Sequence, residues 1–283
     1  MKLLNASGCL DALTAPEVAN ELDAFVTKTI TPLPREGNAP VRIAETAVGM
    51  LNSIGLANPG RERFLAETMP RLRALLDVPI WVSVGGFCAA DYAETCAALD
   101  GVAAIELNLS CPNVDEAPES AAEIVAACRR VTEVPLYAKL SAASPDVGAV
   151  AAAVQAAGAD GLSLVNTLRG MKLDADTLQP TLGRAVGGLS GPALKPIALA
   201  AVHACHRTTN LPIVGMGGVS TGRDVLELVA AGAHDVALGT ILFADPNAPQ
   251  RVREELVLEC SRLSVASVDD VFAQAHRTAE VPA

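Results

Sequence analysis

Lysines, asparagines and glycines recur at the carboxyl ends of short apolar runs in this sequence. The runs end in Lys28-Thr29, in Asn108-Leu109-Ser110-Cys111-Pro112-Asn113, at Lys139, in Asn166-Thr167, in Gly217-Gly218 and in Gly239-Thr240. Asparagine and glycine suit turns wherever a strand ends. Turn preference does not account for two lysines and several asparagines at the same relative place. The glycine pairs narrow the chemistry, because they close the last two runs, where closed α/β barrels commonly bind phosphate. Glycine lets backbone N–H groups come close to an anion, and a helix start adds the positive end of its dipole. No G-x-G-x-x-G fingerprint of a nicotinamide site follows the first run. A phosphate-bearing cofactor such as flavin mononucleotide (FMN) is the better match.

Gathering these groups on one rim requires a repeated strand-and-helix unit. Eight apolar runs read as strands: Lys2–Ala6, Ala24–Lys28, Ile80–Val84, Ala103–Asn108, Leu136–Leu140, Gly161–Asn166, Ile213–Gly217 and Val236–Gly239. Most are continuous rather than alternating, the pattern of parallel strands covered on both faces. Helical stretches at Ala121–Thr132, Asp146–Ala157, Lys195–Arg207 and Gly222–Ala231 lie between them. Pro79, Pro135 and Pro212 each stand just before a strand, and Gly158 and Gly232 just after a helix. The pattern predicts one α/β domain over residues 1–283, a (β/α)8 TIM barrel, with a doubly wound open sheet as the alternative. Two stretches, Thr29 to Val78 and Met171 to Leu194, exceed plain connectors. In a barrel, such loops build the active site.

Composition removes several function classes. The 283 residues carry 21 Lys+Arg against 32 Asp+Glu, a formal charge of −11, so nucleic acid and anionic membrane would both repel the chain. Aromatic residues are only 3%, which leaves the core to Ala, Val, Leu and Ile. No run approaches the roughly 20 apolar residues of a membrane span, and no secretory signal segment opens the sequence. The seven cysteines (Cys9, Cys88, Cys96, Cys111, Cys128, Cys205, Cys260) show no C-x-x-C spacing, so neither a zinc site nor a cluster-ligand run is visible. Reduced thiols in the cytoplasm are the expectation. His203 and His206 fall on a predicted outer helix, three residues apart, with no carboxylate or cysteine at metal-ligand spacing.

The segment Ile105-Glu106-Leu107-Asn108-Leu109-Ser110-Cys111-Pro112-Asn113 strongly resembles the active-site segment of dihydroorotate dehydrogenases. So do residues Glu45 to Leu56, Gly187-Gly188-Leu189-Ser190-Gly191-Pro192 and Gly215-Met216-Gly217-Gly218-Val219. The likeness runs from Asn5 to about Pro246, and the stretches Met50–Leu56 and Asn166–Lys195 are nearest to the class 1B catalytic subunit. It implies an FMN enzyme that oxidises dihydroorotate to orotate in pyrimidine (UMP) synthesis. It also implies a partner subunit carrying FAD and a 2Fe–2S cluster that passes electrons to NAD, within a homodimer or a heterotetramer. Cys111 matches the family's general base; a thiol with an intrinsic pKa of roughly 8.5 serves that role near neutrality when shielded. Asn52, Asn108, Asn113 and Asn166 match the asparagines that contact the pyrimidine, whose amide and imide edges an uncharged donor–acceptor side chain complements. Lys28, Thr167 and the backbone of Ile54, Gly55 and Leu56 match substrate contacts. Lys139 matches the lysine at the flavin's pyrimidine edge. Ala6, Ser7, Gly8, Lys28, Thr29, Asn108, Val165, Gly191, Gly217, Gly218, Gly239 and Thr240 fall where the family wraps FMN.

The sequence also departs from the family pattern. The family continues upstream of Asn5-Ala6-Ser7-Gly8 into a hairpin that closes the barrel bottom, whereas here the chain starts almost at strand one. Leu10-Asp11-Ala12-Leu13-Thr14 replaces a glycine- and aromatic-containing segment, and the loop after Asn113 is short. Two alternatives therefore stand beside the main reading. One is a dihydropyrimidine dehydrogenase-like oxidoreductase, which Asn113 and Lys28 disfavour. The other is a catalytically silent flavin- or partner-binding barrel.

Overall fold

The computed structural model describes residues 1–109 and 121–277. Its strands are β1 (Leu3–Asn5), β2 (Phe25–Val26), β3 (Ile43–Thr46), β4 (Gly49–Asn52), β5 (Ile80–Val84), β6 (Ala104–Asn108), β7 (Leu136–Ser141), β8 (Gly161–Asn166), β9 (Leu168–Gly170), β10 (Gly187–Ser190), β11 (Ile213–Met216) and β12 (Asp235–Leu238). Eight of them form a parallel sheet in the spatial order β1-β12-β11-β8-β7-β6-β5-β2. A parallel bridge from Leu4 to Ala24 joins the two ends, so the sheet closes into the (β/α)8 barrel that the sequence predicts. Every predicted strand forms, with ends within two residues of those expected. The predicted helices form as Ala121–Arg129, Val147–Ala156, Lys195–Thr208 and Gly222–Ala230. Among the described residues no helix is long and apolar enough to cross a membrane.

Along each strand, successive side chains point out toward the helices and in toward the barrel axis. Outward residues such as Ile105, Leu107, Leu140 and Leu164 join the large core beneath the helices. Inward residues form a separate small cluster that includes Leu4, Val26, Trp81, Ala104, Val214 and Met216. The Trp81 and Tyr137 rings, with centroids 4.4 Å apart, plug this interior. Gly161 makes room for them, since a Cβ there would overlap the Tyr137 ring. One step toward the carboxyl ends the inward positions become Ser83, Glu106, Lys139 and Ser163, all buried. Register pairs Ser83 with Glu106 and Lys139 with Ser163. An apolar floor thus supports a polar layer, and the polar layer supports the site.

The weakest seam of the barrel lies between β1 and β2, where the ladder is a single bridge. The buried amide of Asn5 takes over there. Its Nδ2 donates to the Val26 carbonyl at 2.8 Å, and the Val26 N–H donates to its Oδ1 at 2.8 Å.

The two long stretches are not irregular. They contribute β3, β4 and β10, which join β9 in an antiparallel sheet of order β3-β4-β10-β9. Leu51 pairs with Ala44 on one side and Leu189 on the other, and packs with Leu182 in a small core of its own. Gly49 and Gly191 let β4 and the end of β10 approach closely, because a Cβ on Gly191 would lie 2.6 Å from the Gly49 Cα.

At the opposite end, all four histidines gather around the last described segment. His276 stacks on His203 with centroids 4.1 Å apart and lies 4.5 Å from His206. Phe272 meets the edges of His206 and His234. The Ala273 N–H donates to the Val229 carbonyl at 3.0 Å, which ties this segment to the helix Gly222–Ala230.

Candidate active site

A cavity of about 470 Å³ opens at the carboxyl ends of the barrel strands, roofed by the small antiparallel sheet. Ala6, Ser7, Gly8, Lys28, Thr29, Asn108, Lys139, Val165, Asn166, Thr167, Gly217, Gly218, Gly239 and Thr240 line it from the strand ends. Asn52, Ile54, Leu56 and Gly191 line it from the two long stretches. Among the described sequence-predicted positions, only Gly55 stands outside this lining. It adopts φ +72°, and its α-carbon is turned against Asn38 rather than the cavity. Cys111 and Asn113 lie outside the described residues.

Below the cavity runs one hydrogen-bonded chain. Lys139 Nζ donates to Ser7 Oγ at 3.0 Å and to Glu106 Oε1 at 3.3 Å. Ser83 Oγ donates to the same Glu106 oxygen at 3.2 Å and sits 2.9 Å from Thr29 Oγ1. Asn108 Nδ2 donates to Thr29 Oγ1 at 3.2 Å, and Asn166 Nδ2 donates to Asn108 Oδ1 at 2.9 Å. Tyr92 fixes the other side of Asn108 by donating its hydroxyl to the Asn108 carbonyl at 2.8 Å. Asn52, from the roof, donates to the Gly188 carbonyl at 3.3 Å across the β4–β10 pair. Residues from four strands and from the roof are therefore held by defined contacts. A pocket whose polar groups are fixed this way is largely pre-formed for a ligand.

Cys9 also lines the cavity, and sequence reasoning left it unassigned. Burial pushes its thiol above the ordinary value, although the Lys139 and Lys28 ammonium groups pull the other way. The balance favours the protonated thiol at neutral pH. Glu106 was missed as well. Glu106 lies within the run Ala103–Asn108, and a continuous apolar run gives no hint that this residue faces inward.

The opposite wall is backbone. Gly217 and Gly218 have φ of +121° and +75°, a conformation that side chains other than glycine's rarely adopt. Among the described residues, the N–H groups of Gly217, Gly218, Gly239 and Thr240 donate no hydrogen bond. At Gly239 an added Cβ would meet the Ala6 Cβ at 3.7 Å and the Cys9 Sγ at 3.9 Å, both ordinary contacts. The loop beyond Gly218 is tied down by Asp224, which accepts from Ser220 N–H at 2.9 Å and from Thr221 N–H at 2.8 Å. Lys195 reaches the same carboxylate at 2.6 Å. Burial works to raise Asp224, but the hydrogen bonds from Lys195, Ser220 and Thr221 outweigh it and hold the carboxyl below its usual range. A row of unspent backbone donors can receive an anion.

The dihydroorotate dehydrogenase family model matches residues 2–259. The chain belongs to the dihydroorotate dehydrogenase family. It is 45% identical over 262 residues to the "Dihydroorotate dehydrogenase B (NAD(+)), catalytic subunit" of Listeria monocytogenes serovar 1/2a, covering 89% of this chain and 86% of that protein. It is 48% identical over 254 residues to the protein of the same name from Latilactobacillus sakei, covering 86% and 83%. The crystal structure of an Eimeria tenella dihydroorotate dehydrogenase in complex with ferulenol superimposes with a TM-score of 0.78 at 22% identity, over 98% of this chain and 85% of that one. That last likeness speaks for the fold alone. The stretch matched by the dihydroorotate dehydrogenase model includes every strand of the barrel and the segment around Cys111.

Proposed function

We propose that this chain oxidises dihydroorotate to orotate with FMN in pyrimidine synthesis. The observation that carries this reading is one cavity shared by Asn52, Asn108, Asn166, Lys28 and Lys139 on one side and by Gly217, Gly218, Gly239 and Thr240 on the other. The donor set suits FMN: unspent N–H groups for a phosphate and a lysine for the ring's pyrimidine edge. Bound FMN would supply the acceptor for the hydride that leaves C6 of dihydroorotate. Ala6, Ser7, Gly8, Thr29, Val165 and Gly191 are the residues assigned to wrap it.

The protein's own part is orientation and proton transfer. The asparagines hold the ring by its amide and imide edges, and Lys28 with the backbone of Ile54, Gly55 and Leu56 receives the carboxylate. Cys111 is assigned as the base that takes the proton from C5, so that the electron pair of that C–H bond forms the C5–C6 double bond as the C6 hydride departs. Lys139 stabilises negative charge at the far edge of the cavity. The name shared by the close relatives, a catalytic subunit of an NAD-linked enzyme, supports a partner subunit. We assign that partner the FAD and 2Fe–2S cluster, in a heterotetramer built on a homodimer of this chain.

The test is an anaerobic absorption spectrum of the purified protein. Dihydroorotate should bleach the bound flavin, whereas dihydropyrimidines without the carboxylate should leave it oxidised. A flavin that stays yellow with dihydroorotate overturns the reading. Acid release should give the mass of FMN, and release of FAD instead would overturn the cofactor assignment.

A further inference from the structure

Glu106 is buried to 1% exposure at the centre of the barrel, and Lys139 to 4%. A carboxylate in such a place is costly unless a cation and donors compensate it. Here a single oxygen, Oε1, accepts from both Lys139 and Ser83. The direction of every proton beyond that point follows from the carboxylate, which can only accept. Ser83 spends its hydroxyl proton on Glu106, so Thr29 must donate to Ser83. Thr29 must then accept from its next neighbour, and the atom of Asn108 that faces it at 3.2 Å is the amide nitrogen. Asn108 Oδ1 is left to accept from Asn166.

We infer that Glu106 is a positioning residue with two effects: it is the counter-ion that neutralises Lys139 beneath the flavin edge, and it sets the amide orientation of Asn108 through Ser83 and Thr29. The inference rests on the proposed FMN and dihydroorotate sites. Its two effects separate by substitution. Glu106→Gln keeps an oxygen that accepts from both neighbours and removes only the charge. The uncompensated Lys139 ammonium then favours the more negative, reduced flavin. Ser83→Ala keeps the charge pair and cuts the chain to Asn108.

The experiment begins with the flavin content of wild type and both variants, then measures the bound flavin's reduction potential and the dissociation constant of orotate. Glu106→Gln should raise the two-electron potential by at least about 30 mV, a tenfold change in equilibrium constant, with orotate affinity changed less than the potential. Ser83→Ala should weaken orotate about tenfold and leave the potential at the wild-type value. If Glu106→Gln does not fold, Ser83→Ala still decides the second effect, and the double variant Glu106→Gln/Lys139→Met, which removes both charges, should fold again. A double variant as unfolded as the single one overturns the counter-ion role. Flavin-loaded variants with wild-type potential and orotate affinity overturn this inference alone. A wild-type protein that takes up no FMN overturns the proposed function and this inference with it.

Discussion

At the scale of single residues, chemistry and scaffold are assigned to different cysteines and asparagines. Cys111→Ala should lose about 10²- to 10⁴-fold in the rate at which dihydroorotate reduces the flavin, the usual worth of a general base. Orotate should still bind, since the asparagine cage remains. Stopped-flow reduction at near wild-type speed would assign the base elsewhere. Cys9→Ala, by contrast, should leave the pH dependence of that rate unchanged, because burial already keeps its thiol protonated. Asn5 belongs to the scaffold: Asn5→Ala strands the Val26 N–H and carbonyl at the barrel seam, each loss costing about 1–3 kcal/mol. A lowered denaturant midpoint with an unchanged slope checks it. The rim of lysines, asparagines and glycines was legible in the sequence because each stands beside a strand end. Asn5 and Glu106 were not, because their roles depend on partners 21 and 33 residues away that only barrel closure brings near.

At the scale of elements, the barrel strands announced themselves through apolar runs and flanking prolines, whereas the roof sheet did not. Its strands are only three or four residues long, and β3 alternates exposed and buried positions without a strong apolar signal. Pairing Leu51 with Leu189 is a contact across about half of the chain, invisible to any local window. The functional weight of that sheet is testable at its tightest point. Gly191 has φ +99°, and a Cβ there would lie 2.6 Å from the Gly49 Cα. Gly191→Ala should therefore push β4 and the end of β10 apart and open the roof over the cavity. The expected result is a lower flavin-to-protein ratio after gel filtration, with far-ultraviolet circular dichroism close to wild type, since the barrel does not depend on that contact. Full flavin retention would show that the roof is not needed to hold the cofactor.

At the scale of the whole molecule, the two ends of the barrel respond to different variables. The histidine end responds to pH. Burial first, and then the neighbouring His276, hold His203 and His206 below their ordinary value of 6.5; burial also lowers His234 against the pull of Asp235. In the unfolded chain these imidazoles take up protons at higher pH than in the folded one. Folding stability should therefore be full above about pH 6.5 and fall as the pH drops below it. Thermal midpoints from pH 7.5 to 5 should decline, and His206→Phe should flatten the decline by removing one of the protons taken up. The site end responds to electron supply. The chain has no G-x-G-x-x-G after β1 and no run of cysteines at cluster spacing, so the proposed function leaves the reoxidation of the flavin to a partner. Direct hydride transfer to NAD would require a nucleotide site beside the flavin, and no segment supplies its fingerprint. The isolated chain should then pass electrons from dihydroorotate to an artificial dye while reducing NAD negligibly. Fumarate at the substrate site is the contrasting acceptor. Steady-state oxidation of dihydroorotate by the chain alone, with dye, NAD or fumarate in turn, decides among the three. Efficient turnover with NAD and no partner would falsify the two-subunit assignment, and efficient turnover with fumarate would place the electron exit inside the substrate cavity itself.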